Sequence, residues 1–458
     1  MGTTETVEID LELVEELTRA ETEKLNGIHA ESLAFHEAAM DHLAGGVPSS
    51  WQLWPPHPIF VSHGLGSKVW DIDGNEYVDL HNGYGVIAMG HAHPKIVETI
   101  QKQATLGTHF AQGTRDSHAV AEAMAERNGL PLWRFGNSGT EATLDACRIM
   151  RAMTGRDKLI KVEGAYHGHH DSLMVSLFPG QEDSGPREHP NPLPGTRGLP
   201  QAFADLVVVV PFNDAAAVER AFEEHPGEIA GMILEPAPTN WGVVLPDPGY
   251  LQAITDTCHR NGAMITFDEV KTGATVAYGG AIEAFGVTPD LACYAKAIGA
   301  GIPCGAIGGT EEAMGMIVRH ELDQVGTFNG NPMTMAVMKT NLTEVMTREA
   351  YSRFDEINAM IRERVVAVAE RYHLPVSLKT LGAKGSIDWR TEPIREYRDL
   401  WDIDDRVPQL AWLWQLNRGV FKSPGSKWES WTTSIVHSDD DIQRYLDNFE
   451  SFAEAITG

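Results

Sequence analysis

Seven apolar runs of strand length alternate with helical stretches between about residues 95 and 335. The runs read LWRFGN, KLIKVEG, DLVVVVPF, IAGMILEP, GAMITFDEV, DLACYAK and CGAIGG. Apolar strands joined by helices are typical of a largely parallel sheet that is covered on both faces and binds ligands at its strand ends. The pattern therefore predicts an α/β fold built on a mostly parallel seven-stranded sheet.

The segments on either side of this region follow other patterns. Residues 8–44 carry apolar side chains at helical spacing among many acids, which predicts two amphipathic helices. Residues 59–80 alternate apolar and polar positions around Asp73-Gly74, a pair that favours a tight turn, and so predict a small antiparallel hairpin. After about residue 335, a long helical stretch leads into an α+β part.

These patterns predict two structural domains from three segments. We expect residues 86–335 to form a large domain around the sheet. The N-terminal helices and hairpin in residues 1–85 and the C-terminal residues 336–458 are expected to form a smaller α+β domain together. At 458 residues the chain exceeds the size at which a single hydrophobic core keeps growing, which favours such a division.

Charge and cysteine usage narrow the possible partners. Against 36 basic side chains stand 64 acidic ones, and the net charge of −28 repels nucleic acids and anionic membranes. The longest apolar run, Leu206–Val210, is too short for a bilayer, and the N-terminus lacks the order of a secretory signal. Four widely spaced cysteines in apolar contexts suit buried thiols. We expect a cytoplasmic protein with no nucleic-acid or membrane partner.

The first chemical candidate is the segment Gly136-Asn137-Ser138-Gly139-Thr140-Glu141. It follows a predicted strand and opens a helical stretch, so that backbone N–H groups and hydroxyls converge at the positive end of a helix, which suits a phosphate. The same letters also suit a plain turn with an N-cap. The sequence contains neither G-x-x-x-x-G-K-S/T nor G-x-G-x-x-G, which argues against a P-loop or a Rossmann dinucleotide site.

A second candidate is Asp268, which ends the buried run AMITFDEV. A carboxylate at the end of an apolar strand is costly unless a cationic group faces it. A protonated pyridine nitrogen is such a group, and an acid that keeps it protonated makes the ring an electron sink. The alternative is that Asp268 caps the following turn.

Lys296 is the third candidate, at the end of the run DLACYAK and directly before a loop of small residues. A desolvated lysine has a depressed pKa, which favours the neutral amine that forms imines and moves protons. The alternative is an ordinary surface lysine. Lys271 is the rival for this function, but its polar turn setting predicts exposure to solvent.

These motifs occur together in a familiar order. The chain resembles the class III pyridoxal-phosphate aminotransferases of fold type I, and most closely the subgroup around glutamate-1-semialdehyde aminomutase. The resemblance runs from about residue 45 almost to the end and includes MGHAHPKI, NSGTEA, EGAYHGHHDSL, FDEV, AKAIGAGIPCGAIGG and GTFNGNPMTMA. It implies pyridoxal 5′-phosphate as the cofactor, and a homodimer whose active site is shared between subunits.

The resemblance also implies residue roles. Lys296 would form the Schiff base and carry protons, Asp268 would bind the pyridine nitrogen, and Tyr166 would stack on the ring. The remaining implied cofactor contacts are Ser138, Gly139 and Thr140 with the phosphate, His167 beside the ring, Glu235 and Asn240 near the 3-oxygen, Val270 on the face opposite Tyr166, and Thr327 with the phosphate of the neighbouring subunit.

Two histidine clusters suggest an alternative ligand. His167–His170 reads H-G-H-H, and His91 and His93 lie two residues apart, which are spacings that metal ligands adopt. No third ligand cluster accompanies them, and the resemblance accounts for the site without a metal. We therefore expect no metal.

The chain departs from the pattern where the substrate would bind. The aminomutases resemble GGVNSPVR, whose arginine grips the substrate carboxylate, whereas Gln52 stands at that arginine here. Related β-amino-acid aminotransferases place a second arginine in S-P-R-G, and here the text is Ser423-Pro424-Gly425. Replacing a bidentate arginine by an amide forfeits a charge-assisted pair, on the order of a few kcal/mol.

Aromatic residues near these positions predict a more apolar substrate pocket. The predicted pocket residues are Trp51, Gln52, Trp54, Tyr84 and Val86. The alternative is that the aromatic side chains belong to the core. Lys422 and Lys427 are spare cations that are candidates to bind a carboxylate.

The sequence therefore predicts a transaminase that moves an amino group between an amine or amino acid donor and a keto acid or ketone acceptor. Two alternatives share the cofactor residues. A glutamate-1-semialdehyde 2,1-aminomutase needs no external acceptor, and an amino-acid racemase of the same fold differs in the chirality of its product. A cofactor-sensing regulator would need a basic DNA-binding appendage, which the acidic N-terminus does not offer.

Overall fold

The computed structural model describes residues 6–424 and 427–458. Its N-terminal part contains the two predicted helices and the predicted hairpin, to which the strand Val61–Leu65 is added as a third antiparallel strand. Asp10 caps the first helix by accepting hydrogen bonds from the N–H groups of Glu12 and Leu13. The elements are α1 (Leu11–Ile28), α2 (Ala30–Ala39), β1 (Val61–Leu65), β2 (Lys68–Asp71), β3 (Glu76–Asp79), α3 (Asn82–Gly85), α4 (Pro94–Leu106) and α5 (Arg115–Asn128).

A seven-stranded sheet forms the centre of the fold, and each strand coincides with one predicted apolar run. The strands are β4 (Leu132–Gly136), β5 (Lys158–Val162), β6 (Val207–Val210), β7 (Ile229–Leu234), β8 (Met264–Asp268), β9 (Leu291–Ala295) and β10 (Gly305–Gly309). Their order is β4-β10-β9-β8-β7-β5-β6. The β10 strand is antiparallel to both of its neighbours, and the other adjacent pairs are parallel. The predicted α/β fold with a mostly parallel sheet is confirmed.

Helices connect these strands and cover the sheet. They are α6 (Gly139–Thr154), α7 (Gln201–Ala204), α8 (Ala215–Glu224), α9 (Tyr250–Arg260), α10 (Gly280–Phe285), α11 (Glu311–Val318) and α12 (Pro332–Thr340). Strands β7, β8 and β9 are buried at every position, as expected of strands covered on both faces. A polar side chain at the end of such a strand therefore indicates a functional site at that end of the sheet.

The C-terminal part begins with an interrupted helix. After α12 the chain makes a π turn at Asn341–Val345 and a 3₁₀ turn at Arg348–Tyr351 before the next helix starts at Ser352, so the predicted helical stretch is present but interrupted. Asn341 is engaged elsewhere, since its amide donates to the carbonyls of Ala297 and Ile298. The elements are α13 (Ser352–Tyr372), β11 (Ser377–Leu381), β12 (Lys384–Asp388), α14 (Arg406–Leu416), β13 (Val420–Phe421), β14 (Glu429–Thr432) and α15 (Asp439–Thr457).

A second hydrophobic cluster draws its side chains from both ends of the chain. Val14 and Val78 from the N-terminal part pack with Leu410, Ile442 and Phe449 from the C-terminal part. An ion pair of 2.9 Å between Glu21 and Arg418 joins α1 to the end of α14. The domain boundaries near residues 85 and 335 stay predictions. Within the described ranges, no helix combines the length and apolarity that a bilayer crossing demands.

Candidate active site

The ends of β4, β8 and β9 meet around a cavity of about 310 Å³. Its volume lies at the lower end of the range for small-molecule sites, roughly 300 to 1,000 Å³. The sequence-predicted residues that line it are Val86, Ser138, Gly139, Thr140, Tyr166, His167, Glu235, Asn240, Asp268, Val270 and Lys296. Thr327 does not line this cavity and is exposed, so its predicted contact with a neighbouring subunit stays a prediction.

Asp268 at the end of β8 pairs with a histidine. The Oδ2 atom of Asp268 lies 2.8 Å from Nδ1 of His167, and its Oδ1 accepts a hydrogen bond from the N–H of Val270. Both side chains are buried, and the Nε2 atom of His167 has no partner among the described residues. Asp268 therefore makes the turn contact of the alternative interpretation while its carboxylate also borders the cavity.

Lys296 directly follows β9. Its backbone has a φ of 49°, the left-handed region that side chains other than glycine rarely adopt, and a 3₁₀ turn runs from Lys296 to Gly299. Burial lowers the pKa of its amine, and the negative charges of Asp268 and Glu235 oppose that shift. The site thus favours a neutral amine more than water does, as predicted.

The predicted phosphate segment begins α6 as an N-cap. The Ser138 hydroxyl accepts a hydrogen bond from the N–H of Glu141, whose carboxylate in turn accepts from the N–H of Ser138. The first turn of a helix holds N–H groups without intrahelical acceptors, and those of Gly139 and Thr140 are left for an anion. A Cβ atom at Gly139 would lie 2.8 Å from Val270, so the backbone approaches the cavity wall closely.

Glu235, Asn240 and Lys271 form a polar group on another wall. The Asn240 amide donates to Glu235 over 2.7 Å, and the Thr239 N–H donates to the same carboxylate over 3.1 Å. The Lys271 ammonium donates to the Thr239 carbonyl over 2.6 Å and to Oδ1 of Asn240 over 3.2 Å. Burial and the charge of Asp268 raise the pKa of Glu235.

Lys271 corrects the sequence prediction of a solvent-exposed side chain. Its side chain is half-buried and lines the cavity. Burial lowers its pKa to about 8, although the carboxylate of Glu235 opposes the shift. The sequence contains one indication that Lys271 lies at the site: it directly follows FDEV, the motif that contains Asp268.

A second cavity of about 580 Å³ adjoins the first, and we call it the aromatic cavity. It shares Tyr166, Asn240, Lys271 and Lys296 with the first cavity. Predicted pocket residues in its lining are Trp51, Gln52, Trp54 and Tyr84, whereas Val86 lines the first cavity only. The Trp51 ring lies edge-on to Tyr166 at 5.6 Å, and its side chain is 48% exposed, which argues against a core function.

Sequence reasoning did not assign several other residues of the aromatic cavity, among them Phe178, Trp428 and Ser430. They come from segments far apart in the chain, and no local pattern distinguishes them from core residues. The predicted spare cations are a further correction. Lys422 is buried in an ion pair with Glu429, and Lys427 donates to the carbonyls of Leu400 and Trp401. Neither lysine lines the cavity.

The donor groups fit pyridoxal phosphate. An acid stands ready for a ring nitrogen, an amine for an aldehyde, and a helix start for a phosphate. Tyr166 and Val270 supply flat and apolar walls, and His167 lines the cavity beside Asp268. Among the described residues, no group of three or more His, Cys, Asp and Glu side chains is arranged for a metal. The four cysteines are buried and unpaired, as expected.

Comparison with known proteins agrees with this geometry. The sequence model of the class-III aminotransferases matches residues 52–452. Glutamate-1-semialdehyde 2,1-aminomutase from Sulfurihydrogenibium azorense is 35% identical over 91% of this chain and 97% of its own length. An omega-transaminase from Sphaerobacter thermophilus is 31% identical, has a TM-score of 0.87, and covers 93% of this chain and 98% of its own.

A glutamate-1-semialdehyde aminomutase from Pseudomonas aeruginosa is 28% identical, with a TM-score of 0.89, and covers 98% of this chain and 99% of its own. Family match, fold and cavity lead to one conclusion. This chain belongs to the class-III aminotransferases, pyridoxal-phosphate enzymes of fold type I, and to their glutamate-1-semialdehyde aminomutase-like subgroup.

Proposed function

We propose that this protein is a transaminase that moves an amino group between an amine or amino acid donor and a keto acid or ketone acceptor. One observation carries the proposal. The aromatic cavity opens onto Lys296, and none of the residues that line it in the described part of the chain is an arginine. An apolar cavity of this size suits a substrate with a bulky hydrophobic group better than a small dicarboxylic one.

Lys296 is the proton carrier in this proposal. When bound, pyridoxal phosphate supplies an aldehyde that condenses with amines and a ring that stabilises negative charge on the substrate carbon. The Lys296 amine takes a proton from that carbon and delivers it to the C4′ carbon of the cofactor. Burial lowers the pKa of Lys296, which makes the neutral amine easier to form than it is in water.

The other side chains bind and orient. Asp268, held by His167, keeps a proton on the ring nitrogen, while Glu235 and Asn240 lie on the side of the 3-oxygen. Tyr166 and Val270 confine the ring between two faces. The phosphate binds at the start of α6 through Ser138, Gly139 and Thr140. Thr327 of a second subunit completes the phosphate site, so the functional unit is a homodimer.

The aminomutase is a second candidate, and the compared proteins favour it more directly than they favour a transaminase. A relative with that name matches 91% of the chain, and a solved structure with that name covers 98% of it. Against it stands Gln52, which lines the aromatic cavity where the resemblance expects a carboxylate-binding arginine. An amino-acid racemase is separated from both by the chirality of its product.

A substrate panel tests the proposal. Purified holoenzyme is offered 1-phenylethylamine, β-amino acids or glutamate-1-semialdehyde, with pyruvate or 2-oxoglutarate as acceptor, and the products are quantified. We expect turnover that requires both donor and acceptor. Turnover confined to the semialdehyde without an acceptor would establish the aminomutase instead.

The Lys296→Ala variant tests the site separately. It is expected to fold, because the removed side chain ends in a cavity, and to yield no borohydride-reducible adduct and no amino exchange. Turnover retained by this variant would reject the assigned role of Lys296.

A further inference from the structure

Lys271 is a cation at the junction of the two cavities, and the proposed reaction leaves it without a function. Its ammonium donates to the Thr239 carbonyl at 2.6 Å and to the Asn240 side chain at 3.2 Å. An ammonium has three N–H donors, so one donor remains. Because Lys271 lines both cavities, this donor and its charge are within reach of a molecule bound between them.

The hydrogen-bond acceptors of Lys271 are neutral oxygens. The nearest acid on this wall is Glu235, whose carboxylate instead accepts from Thr239 and Asn240. A half-buried cation whose hydrogen-bond acceptors are all uncharged is under-compensated, and an anion placed beside it restores the balance. The site is therefore built to gain from a negatively charged ligand group.

Among the described residues that line the aromatic cavity, no other cation competes for that ligand group. Among its lining residues in the described part of the chain, Lys271 and Lys296 alone are basic, and Lys296 is assigned to the cofactor. Gln52 is neutral. Lys422 is neutralised by Glu429, and Lys427 is bonded to main-chain carbonyls.

We propose that Lys271 binds a carboxylate group of the substrate, and that the substrates are carboxylic acids with an apolar or aromatic body that fills the aromatic cavity. This inference rests on the proposed function, because it names the substrate class of the same site. Lys271 thereby binds the carboxylate that an arginine at position 52 would bind, but from another wall of the cavity.

The charged state of Lys271 gives this interaction a pH dependence. The titratable groups that act on it or are acted on by it are Glu235, Asp268, Lys296, Lys384 and His81. Burial lowers the pKa of Lys271 to about 8, so the side chain is mostly charged at pH 7 and mostly neutral at pH 9. A bound carboxylate favours the charged form, and its affinity is therefore expected to fall as the pH rises through 8.

Calorimetric titration of the holoenzyme tests the proposal without turnover. The two probes are 3-phenylpropanoate and its neutral amide, 3-phenylpropanamide. At pH 7 the wild type is expected to bind the acid about tenfold more tightly than the amide, the size of one charge-assisted hydrogen bond. This preference should shrink above pH 8. Lys271→Met should abolish the preference and leave amide affinity unchanged, whereas Lys271→Arg should keep the preference above pH 8.

Three outcomes would overturn the proposal. They are an unchanged preference in Lys271→Met, the absence of a preference in the wild type, and the absence of binding by either probe. Lys427→Met is the matched control, since it removes a lysine next to Trp428 that does not line the cavity, and it should retain the preference. If Lys271→Met does not fold, the pH dependence of the wild type against Lys271→Arg decides.

The test also separates this inference from the proposed function. A holoenzyme that prefers the acid through Lys271 but exchanges no amino groups would reject the transaminase and retain the carboxylate site. A holoenzyme that transaminates, and whose Lys271→Met variant keeps the preference for the acid, would retain the transaminase and reject the carboxylate site.

Discussion

The Nδ1 atom of His167 lies 2.8 Å from Oδ2 of Asp268 in a buried pair at the end of β8. The histidine is thus a hydrogen-bond donor that orients the carboxylate toward the cavity while its other nitrogen faces no partner in the described structure. An acid oriented in this way holds its charge at a fixed point of the site, where preorganised electrostatic interactions act most strongly.

Asp268→Asn should therefore lower turnover by at least about a hundredfold, because a neutral amide does not hold a proton on the ring nitrogen. The measurement is the initial rate with a substrate that the wild type turns over, at saturating pyridoxal phosphate. Cofactor content is checked by absorbance in the same samples. Wild-type turnover in a fully loaded variant would contradict the assigned role of Asp268.

Gly139→Ala should weaken cofactor binding about tenfold or more. The new Cβ would lie 2.8 and 2.9 Å from the two methyl groups of Val270, and overpacking of this kind costs about 1 to 3 kcal/mol. Fluorescence titration of the apoenzyme with pyridoxal phosphate measures the effect. Gly27→Ala, where a Cβ meets no atom of the described residues within 4 Å, is the control and should bind normally.

The clash at Gly139 also predicts a rescue. In a Val270→Ala background the methyl groups are gone, so Gly139→Ala should add little to the loss that Val270→Ala causes alone. An equal penalty in both backgrounds would show that the glycine serves the cofactor by another route.

Arg398 should be important for stability. Its guanidinium binds Glu163 through two hydrogen bonds of 2.7 and 2.9 Å, and Glu163 is buried three residues before Tyr166. Arg398→Met would leave a buried carboxylate unpaired, and the free energy of unfolding should fall by about 3 to 5 kcal/mol. Urea unfolding of the purified protein measures this change.

Two further variants serve as controls for the expected loss of stability in Arg398→Met. Glu163→Gln combined with Arg398→Met should lose less stability than Arg398→Met alone, because no charge remains buried. Arg406→Met removes an arginine from an exposed pair with Asp404, and its effect should stay within about 1 kcal/mol. Equal losses at Arg398 and Arg406 would contradict the assignment.

Local pattern predicted the strands, but not their arrangement. All seven apolar runs form the strands of the sheet, and in β7, β8 and β9 burial on both faces leaves an unbroken apolar sequence. The antiparallel direction of β10 could not be predicted from the sequence, because an apolar strand shows the same pattern in either direction. The interruption after α12 likewise depends on Asn341 meeting the loop after Lys296, a contact between distant segments.

The same distinction applies to the site. The places of Asp268 and Lys296 in the cavity lining were predictable, because a polar residue that ends a buried strand is costly unless a charged or polar group faces it. Lys271 was assigned to solvent because its immediate neighbours are polar, and burial by Thr239 and Asn240 from another strand end is invisible locally. Lys422 shows the opposite error, because the acid that neutralises it lies seven residues further along.

The hydrophobic cluster formed by Val14, Leu410 and Phe449 has a consequence for biosynthesis. Its partners are separated by nearly the whole polypeptide, so the N-terminal helix emerges from the ribosome long before the surfaces it packs on. The central sheet is completed first, since all its strands lie within residues 132–309. Newly made chains therefore pass through a stage in which the apolar stripe of α1 is exposed. We expect chaperone binding to be most useful to this protein at that stage.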